Sequence, residues 1–400
     1  VSGAQGVLPP LVEPGAALPP ARRARYARHL VLPGVGEDGQ RRLAAARVLV
    51  VGAGGLGSPV LLYLAAAGVG TLGVVDDDVV DVSNLQRQVL HGVGDVGRPK
   101  TASARARLED VNPDVEVVEH RRRLTLDNAL DLLSGYDLVV DGSDAFATRY
   151  LVSDAAEVLG MPCVWGAVHR FTGHVSTFWA RPPAGVGVTY RDLFPSPPPP
   201  GTSPDCAAGG VLGAMCGTVG SLMATEAVKL LTGAGRTLLG RLAVYDALEA
   251  TWRQLAVRPD PARPPVHELP EAVDGLDLYA AHCGAAAPTA PITSVRELAG
   301  LRAGGGAPFV LDVREPWEAE AAPFHGAHLV PSGELGPGCA EGVRRVAALA
   351  AGRPVHVLCR SGARSQAVAA TLRESGLDAR SVEGGVLAWA REVESSAPAR

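Results

Sequence analysis

The run Gly52-Ala53-Gly54-Gly55-Leu56-Gly57 follows the apolar stretch R-V-L-V-V and precedes a small-residue helical stretch through Ala67. Backbone N–H groups at the start of such a helix can approach phosphate oxygens closely, because no Cβ stands in the way. Asp76 closes the next apolar run, T-L-G-V-V-D, where a carboxylate can accept from ribose hydroxyls. That pair alone would point to NAD. Three further features turn the reading toward ATP. Ser83-Asn84-Leu85-Gln86-Arg87 lies just beyond the acid, and Arg87 suits bidentate contact with polyphosphate. Lys100 follows, and with Lys229 it makes up the only two lysines among 37 basic residues. Asp144 comes after D-L-V-V-D, at the carboxyl end of a strand, where an acid suits Mg2+ better than a hydride acceptor. Fixed cations beside a metal-binding acid are what phosphoryl or nucleotidyl transfer requires.

A second constellation is built on sulfur. Six cysteines are present, Cys163, Cys206, Cys216, Cys283, Cys339 and Cys359, and none forms a C-x-x-C pair. Cys359 ends the run R-P-V-H-V-L and opens Cys359-Arg360-Ser361-Gly362-Ala363-Arg364-Ser365, ahead of a helix over about 365–374. Successive N–H groups, a helix start and the cations Arg360 and Arg364 form a nest for an anionic sulfur or thiosulfate. A phosphate-cleaving loop would need C-x5-R. The C-x4-R spacing here is tighter and favours persulfide chemistry. Cys206 sits in P-S-P-P-P-P-G-T-S-P-D-C-A-A-G-G, which predicts an exposed thiol on a mobile loop. Cys163 and Cys216 read as packed cysteines.

These residues need two scaffolds. At 400 residues, 47% apolar and 20% charged, the chain has the composition of two or three globular domains. A net charge of −5 gives no electrostatic footprint for nucleic acid or an anionic membrane. The most apolar segment, Val211–Leu231, is interrupted by Glu226 and Lys229 and reads as a buried or interface helix. No secretion signal is evident, and free thiols suit the reducing cytoplasm. Residues 1–24, with two Pro-Pro pairs, read as a flexible arm. Alternating strand-like runs and helical patterns over 25–255 predict a doubly wound, Rossmann-like α/β domain. A Pro- and Ala-rich linker over 256–290 precedes a small α/β domain at 291–400, opened by Ser294 and Glu297 in capping-box spacing. Asp77 and Asp78 read as a solvated strand end, with Asp78 within possible reach of a nucleotide hydroxyl. His169 and His174 show no ligand pattern.

The motifs R-Y-A-R-H (Arg25–His29), V-G-A-G-G-L-G-S-P, S-N-L-Q-R-Q, G-R-P-K, D-G-S-D, P-D-C-A-A-G-G-V-L-G and V-Y-D-A-L, taken together over 25–255, resemble the MoeB/ThiF branch of ubiquitin-activating-type adenylyltransferases. That resemblance implies binding of Mg-ATP and adenylation of the C-terminal Gly-Gly carboxylate of a small ubiquitin-like sulfur-carrier protein. It implies that Gly55 lies in the phosphate loop, Asp76 holds the ribose, and Asn84 and Arg87, within the nucleotide-binding run Ser83, Asn84, Leu85, Gln86 and Arg87, meet the phosphates. It further implies that Lys100 stabilises the transferring phosphorus, Asp144 positions Mg2+ with Ala145 beside it, and Arg28 reaches the nucleotide of a second copy, hence a homodimer. Cys206 is implied to link covalently to the carrier or to the sulfur-donating cysteine. Two departures stand out. Thr189 and Asp192 replace the first C-x-x-C of the family's zinc-binding members, and R-P-D-P-A-R-P-P lacks the second, so no structural zinc is expected; Ala145 replaces an Asn. With D-V-R-E at Asp312–Glu315 and E-G-G-V-L-A-W at Glu383–Trp389, residues 291–400 resemble a rhodanese domain, with Cys359 as the persulfide carrier, Arg360, Ser361, Gly362, Ala363 and Arg364 as its loop, and thiosulfate or a cysteine desulfurase as sulfur donor. The two together resemble the fused sulfurylases of the MoeZ type. An NAD-dependent oxidoreductase with an accessory sulfur domain, and a non-catalytic carrier-binding scaffold, are the competing classes.

Overall fold

Four consecutive apolar residues, Val48, Leu49, Val50 and Val51, have no exposed face, and they form the centre of a parallel strand, β1 (Arg47–Val51). In the computed structural model, which describes residues 7–196, 210–270, 279, 290–304, 307–335 and 339–394, β1 is followed by the helix Gly57–Ala67. Gly68 stops that helix in a left-handed conformation at φ 82°. The chain then returns as β2 (Thr71–Val75) and continues through β3 (Glu116–His120), β4 (Leu138–Asp141), β5 (Cys163–His169), β6 (Thr172–Phe178), β7 (Arg241–Asp246) and β8 (Thr251–Ala256). The order is β3-β2-β1-β4-β5-β6-β7-β8, parallel from β3 to β5 and antiparallel beyond. Strand order reverses beside β1, and a crevice opens there at the carboxyl ends. In register, Val51 lies opposite Val75 of β2 and Asp141 of β4, so the turns that follow the three strands emerge at one level.

The chain divides into two compact units, with the boundary after Cys283. The second unit has its own core and an all-parallel sheet, order β11-β10-β12-β13-β9, made of β9 (Ile292–Thr293), β10 (Phe309–Asp312), β11 (Ala327–Leu329), β12 (Val355–Leu358) and β13 (Ala379–Val382). Ser294 caps the helix Val295–Ala303 by accepting from the Glu297 N–H, in the spacing read from the sequence. The doubly wound sheet and the small α/β domain expected from the sequence are both present.

Two expectations about the connecting segments do not hold. The arm over 1–24 is not free in its described part. Leu8 and Leu18 are buried, the Leu11 N–H donates to the Leu230 carbonyl, and Arg41 and Arg42 donate to the carbonyls of Gly15 and Val12. The linker is also docked at its start. Val257 is buried, and Arg263 pairs with Glu157 at 3.0 Å and Asp192 at 3.2 Å. Asp192 accepts in addition from Thr189 and from the Asp260 N–H, so Thr189 and Asp192 form a polar clip that ties the segment after β8 to the domain. Further on, Tyr279 donates to Asp154 at 2.7 Å, and Arg191 grips the same carboxylate at 2.7 Å through both Nε and Nη2. Among the described residues no group of three or more His, Cys, Asp or Glu is arranged to hold a metal.

Glu157 and Asp192 are each only 2% exposed, so removing their cation strands two buried carboxylates. Arg263→Ala is therefore expected to lower unfolding free energy by about 3 kcal/mol, measured by urea denaturation. A loss under about 1 kcal/mol would show the clip to be no more than a surface contact.

Candidate active sites

The first site is assembled at the crevice beside β1. Gly57 must lack a side chain, because a Cβ there would lie 1.8 Å from the Gly52 carbonyl oxygen, so the turn closes tightly on itself. Gly55 is constrained from the far side, since a Cβ would lie 2.8 Å from the Sγ of Cys216, on the helix Gly213–Thr232. Asp76, just past β2, accepts from the Ala53 N–H through Oδ2 and from the Asp78 N–H through Oδ1, both at 2.9 Å. Burial pushes its carboxyl above the ordinary range, with Lys100 and those two donors pulling the other way.

Lys100 opens the helix Lys100–Val111 and is only 6% exposed, and its Nζ donates to Asp78 Oδ2 at 2.9 Å. Asp78 is thus the counter-ion of the buried lysine while itself lying, with Asp77, at a solvated strand end. The run Ser83–Arg87 forms a tight turn, in which the Asp81 carboxylate accepts from the Ser83 N–H at 2.8 Å and the side-chain Oδ1 of Asn84 accepts from the Asp81 N–H at 3.2 Å. Arg87 is half-buried and its Nη1 reaches the Ser83 carbonyl at 3.1 Å. Past β4, Asp144 is exposed, and Ala145 begins the helix Phe146–Leu159 without a side-chain cap. Arg149, from the second turn of that helix, donates twice to the Ser143 carbonyl, at 3.2 and 3.1 Å, and holds the Asp141–Asp144 turn from beneath. Arg28 is exposed on the short helix Ala27–Leu30.

The structure thus places Gly55, Asp76, Lys100, Arg87 and Asp144 on turns that leave the carboxyl ends of neighbouring strands or on segments packed there. A phosphate chain laid along such a cleft would meet N–H groups, an ammonium and a guanidinium. Sequence reasoning missed the pairing of Asp78 with Lys100, and it missed Arg149 and a buried histidine, His91. Lys229, the other lysine, answers a structural need: it pairs with Glu226, which is fully buried on the same helix. Cys206 lies outside the described residues. Cys163 and Cys216 are buried, as expected, and burial pushes the Cys163 thiol well up.

The second site lies at the end of β12. Cys359 is 1% exposed; the Gly362 N–H donates to its Sγ at 3.1 Å and the Ser365 hydroxyl lies 3.5 Å away. Gly362, at φ 101°, turns the loop into the helix Ala363–Glu374 and so brings its own N–H onto the sulfur. Ser365 in turn bonds the Gly362 carbonyl at 2.9 Å and the Ser381 hydroxyl at 2.8 Å, fixing the loop from behind. Arg364 differs from expectation. Its two terminal nitrogens each meet a carboxylate oxygen of Glu318 at 2.7 Å, so its charge is matched within the fold. Burial would raise the Glu318 carboxyl, but Arg364, the Glu315 N–H and Arg314 outweigh it and hold the group below its usual range. The loop therefore offers sulfur mainly backbone donors.

Comparison with known proteins agrees with this geometry. Residues 26–265 match the ThiF family and residues 294–392 the rhodanese-like domain. The chain is 51% identical over 388 residues, 97% of each chain, to the probable adenylyltransferase/sulfurtransferase MoeZ of Mycobacterium tuberculosis. It is 39% identical to the mouse adenylyltransferase and sulfurtransferase MOCS3, covering 98% of this chain and 90% of that one. Its first unit is 54% identical over 261 residues to the sulfur carrier protein adenylyltransferase of Thermus thermophilus, covering 65% of this chain and 96% of the relative. Among solved structures, the microcin C7 biosynthetic enzyme MccB in complex with N-formylated MccA aligns with a TM-score of 0.53 over 62% of this chain and 77% of that chain; at 20% identity this shows the fold alone. The chain belongs to the ThiF family, carries a rhodanese-like domain after it, and is an adenylyltransferase and sulfurtransferase.

Proposed function

We propose that the protein adenylates the C-terminal Gly-Gly carboxylate of a small ubiquitin-like sulfur carrier and then converts it to a thiocarboxylate. The observation that carries the reading is the buried Lys100 ammonium, fixed by Asp78 beside the glycine turn and Asp76. A carboxylate oxygen of the carrier attacks the α-phosphorus of ATP, the Pα–O bond to the β-phosphate breaks, and pyrophosphate leaves. Negative charge gathers on the α-phosphate oxygens in that step, and Lys100, Arg87 and the turn's N–H groups are placed to meet it. Asp144, exposed at its turn, suits Mg2+, which when bound offsets phosphate charge. Arg28, exposed and remote in sequence, fits a role at the nucleotide of a second copy in a homodimer.

The second unit supplies sulfur. A persulfide on Cys359, loaded by thiosulfate or a desulfurase, attacks the acyl-adenylate carbonyl through its terminal sulfur; the C–S bond forms and AMP departs. Cys206 then attacks the Sγ of Cys359, releasing the carrier thiocarboxylate and leaving a Cys206–Cys359 disulfide for a cellular thiol to reduce. The Gly362 N–H and the helix start behind it support sulfur carrying negative charge. Cys163, Cys339 and Cys359 are thiols and not disulfides among the described residues, which suits a reducing cytoplasm.

With Mg-ATP, thiosulfate and a panel of Gly-Gly-ending carriers, intact mass should show oxygen replaced by sulfur on the cognate carrier. Cys359→Ala should abolish that change while carrier-dependent ATP–pyrophosphate exchange continues; loss of exchange in this variant would refute the division of labour. Lys100→Ala should cut exchange turnover by about 100-fold or more. Its unfolding midpoint should move little, since the Asp78 partner it strands is 70% exposed. Unchanged exchange in Lys100→Ala would refute the role given to the ammonium.

A further inference from the structure

His91 follows the S-N-L-Q-R-Q run by three residues and is 6% exposed. Its Nε2 lies 2.9 Å from the Ala53 carbonyl oxygen, inside the glycine turn, and its Nδ1 lies 2.8 Å from the Ser103 hydroxyl, in the first turn of the helix that Lys100 opens. A carbonyl can only accept, so Nε2 carries the proton, and Nδ1 of a neutral ring accepts from Ser103. Burial, the largest influence, together with Lys100 disfavours the imidazolium, while the Ala53 carbonyl, Asp95 and Asp76 favour it; the net shift is downward.

These two bonds complete a circuit. Asp76 takes the Ala53 N–H, and His91 takes the carbonyl of the same residue. His91 meets Ser103, one helical turn from Lys100; Lys100 donates to Asp78, and the Asp78 N–H returns to Asp76. Three segments distant in sequence, the turn after β1, the end of β2 and the helix Lys100–Val111, are thereby held at set spacing. Two sides of the circuit are the groups assigned to phosphate and ribose. His91 itself sits behind the turn, where it bonds to protein groups on both sides.

We propose that His91 is a positioning residue of the adenylation step, a neutral imidazole strut that keeps the phosphate-binding turn and the Lys100 ammonium in register. The proposal rests on the adenylation reading above. A rigid ring with a donor on one edge and an acceptor on the other spans the two segments without a water. A residue that only filled space here would leave the Ala53 carbonyl buried without its donor, and the Ser103 hydroxyl with the Asp95 carboxylate alone, so the turn would relax toward other partners.

The test uses the full-length protein and titrates α,β-methylene-ATP with Mg2+ into the unmodified chain, His91→Leu, His91→Gln and Ser103→Ala, with melting temperatures alongside. His91→Leu should weaken nucleotide binding about tenfold, the size expected for losing a strut worth one or two hydrogen bonds. His91→Gln, which still offers a donor and an acceptor, should recover affinity to within about threefold, because each bond it keeps counts for about that much. In carrier-dependent exchange the KM for ATP should rise in His91→Leu while the KM for the carrier stays unchanged. A His91→Leu protein that melts earlier yet binds nucleotide as tightly as the unmodified chain would overturn the proposal, as would failure of His91→Gln to improve on Leu. Should His91→Leu not fold, Ser103→Ala decides: several-fold weaker nucleotide binding supports the strut, and unchanged binding overturns it. If the unmodified protein binds no nucleotide, the adenylation reading fails first, an outcome distinct from any of these.

Discussion

The arrangement of the first unit turns on one buried charge. An ammonium withdrawn from water costs several kcal/mol unless fixed partners replace its hydration, and Lys100 is 6% exposed. Asp78 bonds it directly, and Asp76 stands near enough to feel its field. The Lys100–Asp78 bond thus ties the end of β2 to the start of the helix Lys100–Val111. Asp76 in turn holds the Ala53 N–H, which fixes the glycine turn. An otherwise Arg-rich chain uses lysine here because a compact ammonium fits where a planar guanidinium fork would need more room and more acceptors. The charge is thus set in place by the fold itself.

The second unit treats charge in the opposite way. Its best-buried cation, Arg314, is committed to Asp312 at 2.6 Å, and Arg364 is committed to Glu318. What faces the Cys359 sulfur is a backbone N–H backed by a serine pair. The two units thus differ in what surrounds their key group: a carboxylate on an ammonium in the first, a backbone N–H and a hydroxyl on a sulfur in the second.

Much of this was legible in the sequence. The β1–helix–β2 unit shows as apolar runs around a glycine turn, and Asp76, Arg87, Lys100, Asp144 and Cys359 stand at offsets that the chemistry itself sets. The parts that were not legible depend on partners far away in the chain. Leu8 and Leu18 lie in a Pro/Ala-rich stretch whose composition equals that of a free arm; what docks it is Arg41 and Arg42 on a later helix. Arg263 looks like linker until Glu157 and Asp192 are brought beside it. His91 needs Ala53 and Ser103 on either side before a lone histidine becomes a strut. The pairing of Arg364 with Glu318 was not legible, because the carboxylate precedes it by 46 residues.

The helix Gly213–Thr232 shows how the first unit joins its nucleotide turn to the segment that leads from Cys206. Its Cys216 sulfur occupies the space a side chain at position 55 would need, and a Cβ on Gly213 would lie 2.1 Å from the Gln86 carbonyl oxygen, next to Arg87. The helix therefore begins in direct contact with both stretches that approach the phosphates. Rigid packing transmits displacement rather than absorbing it. A shift of the turn or of Arg87 must therefore be met at the start of this helix.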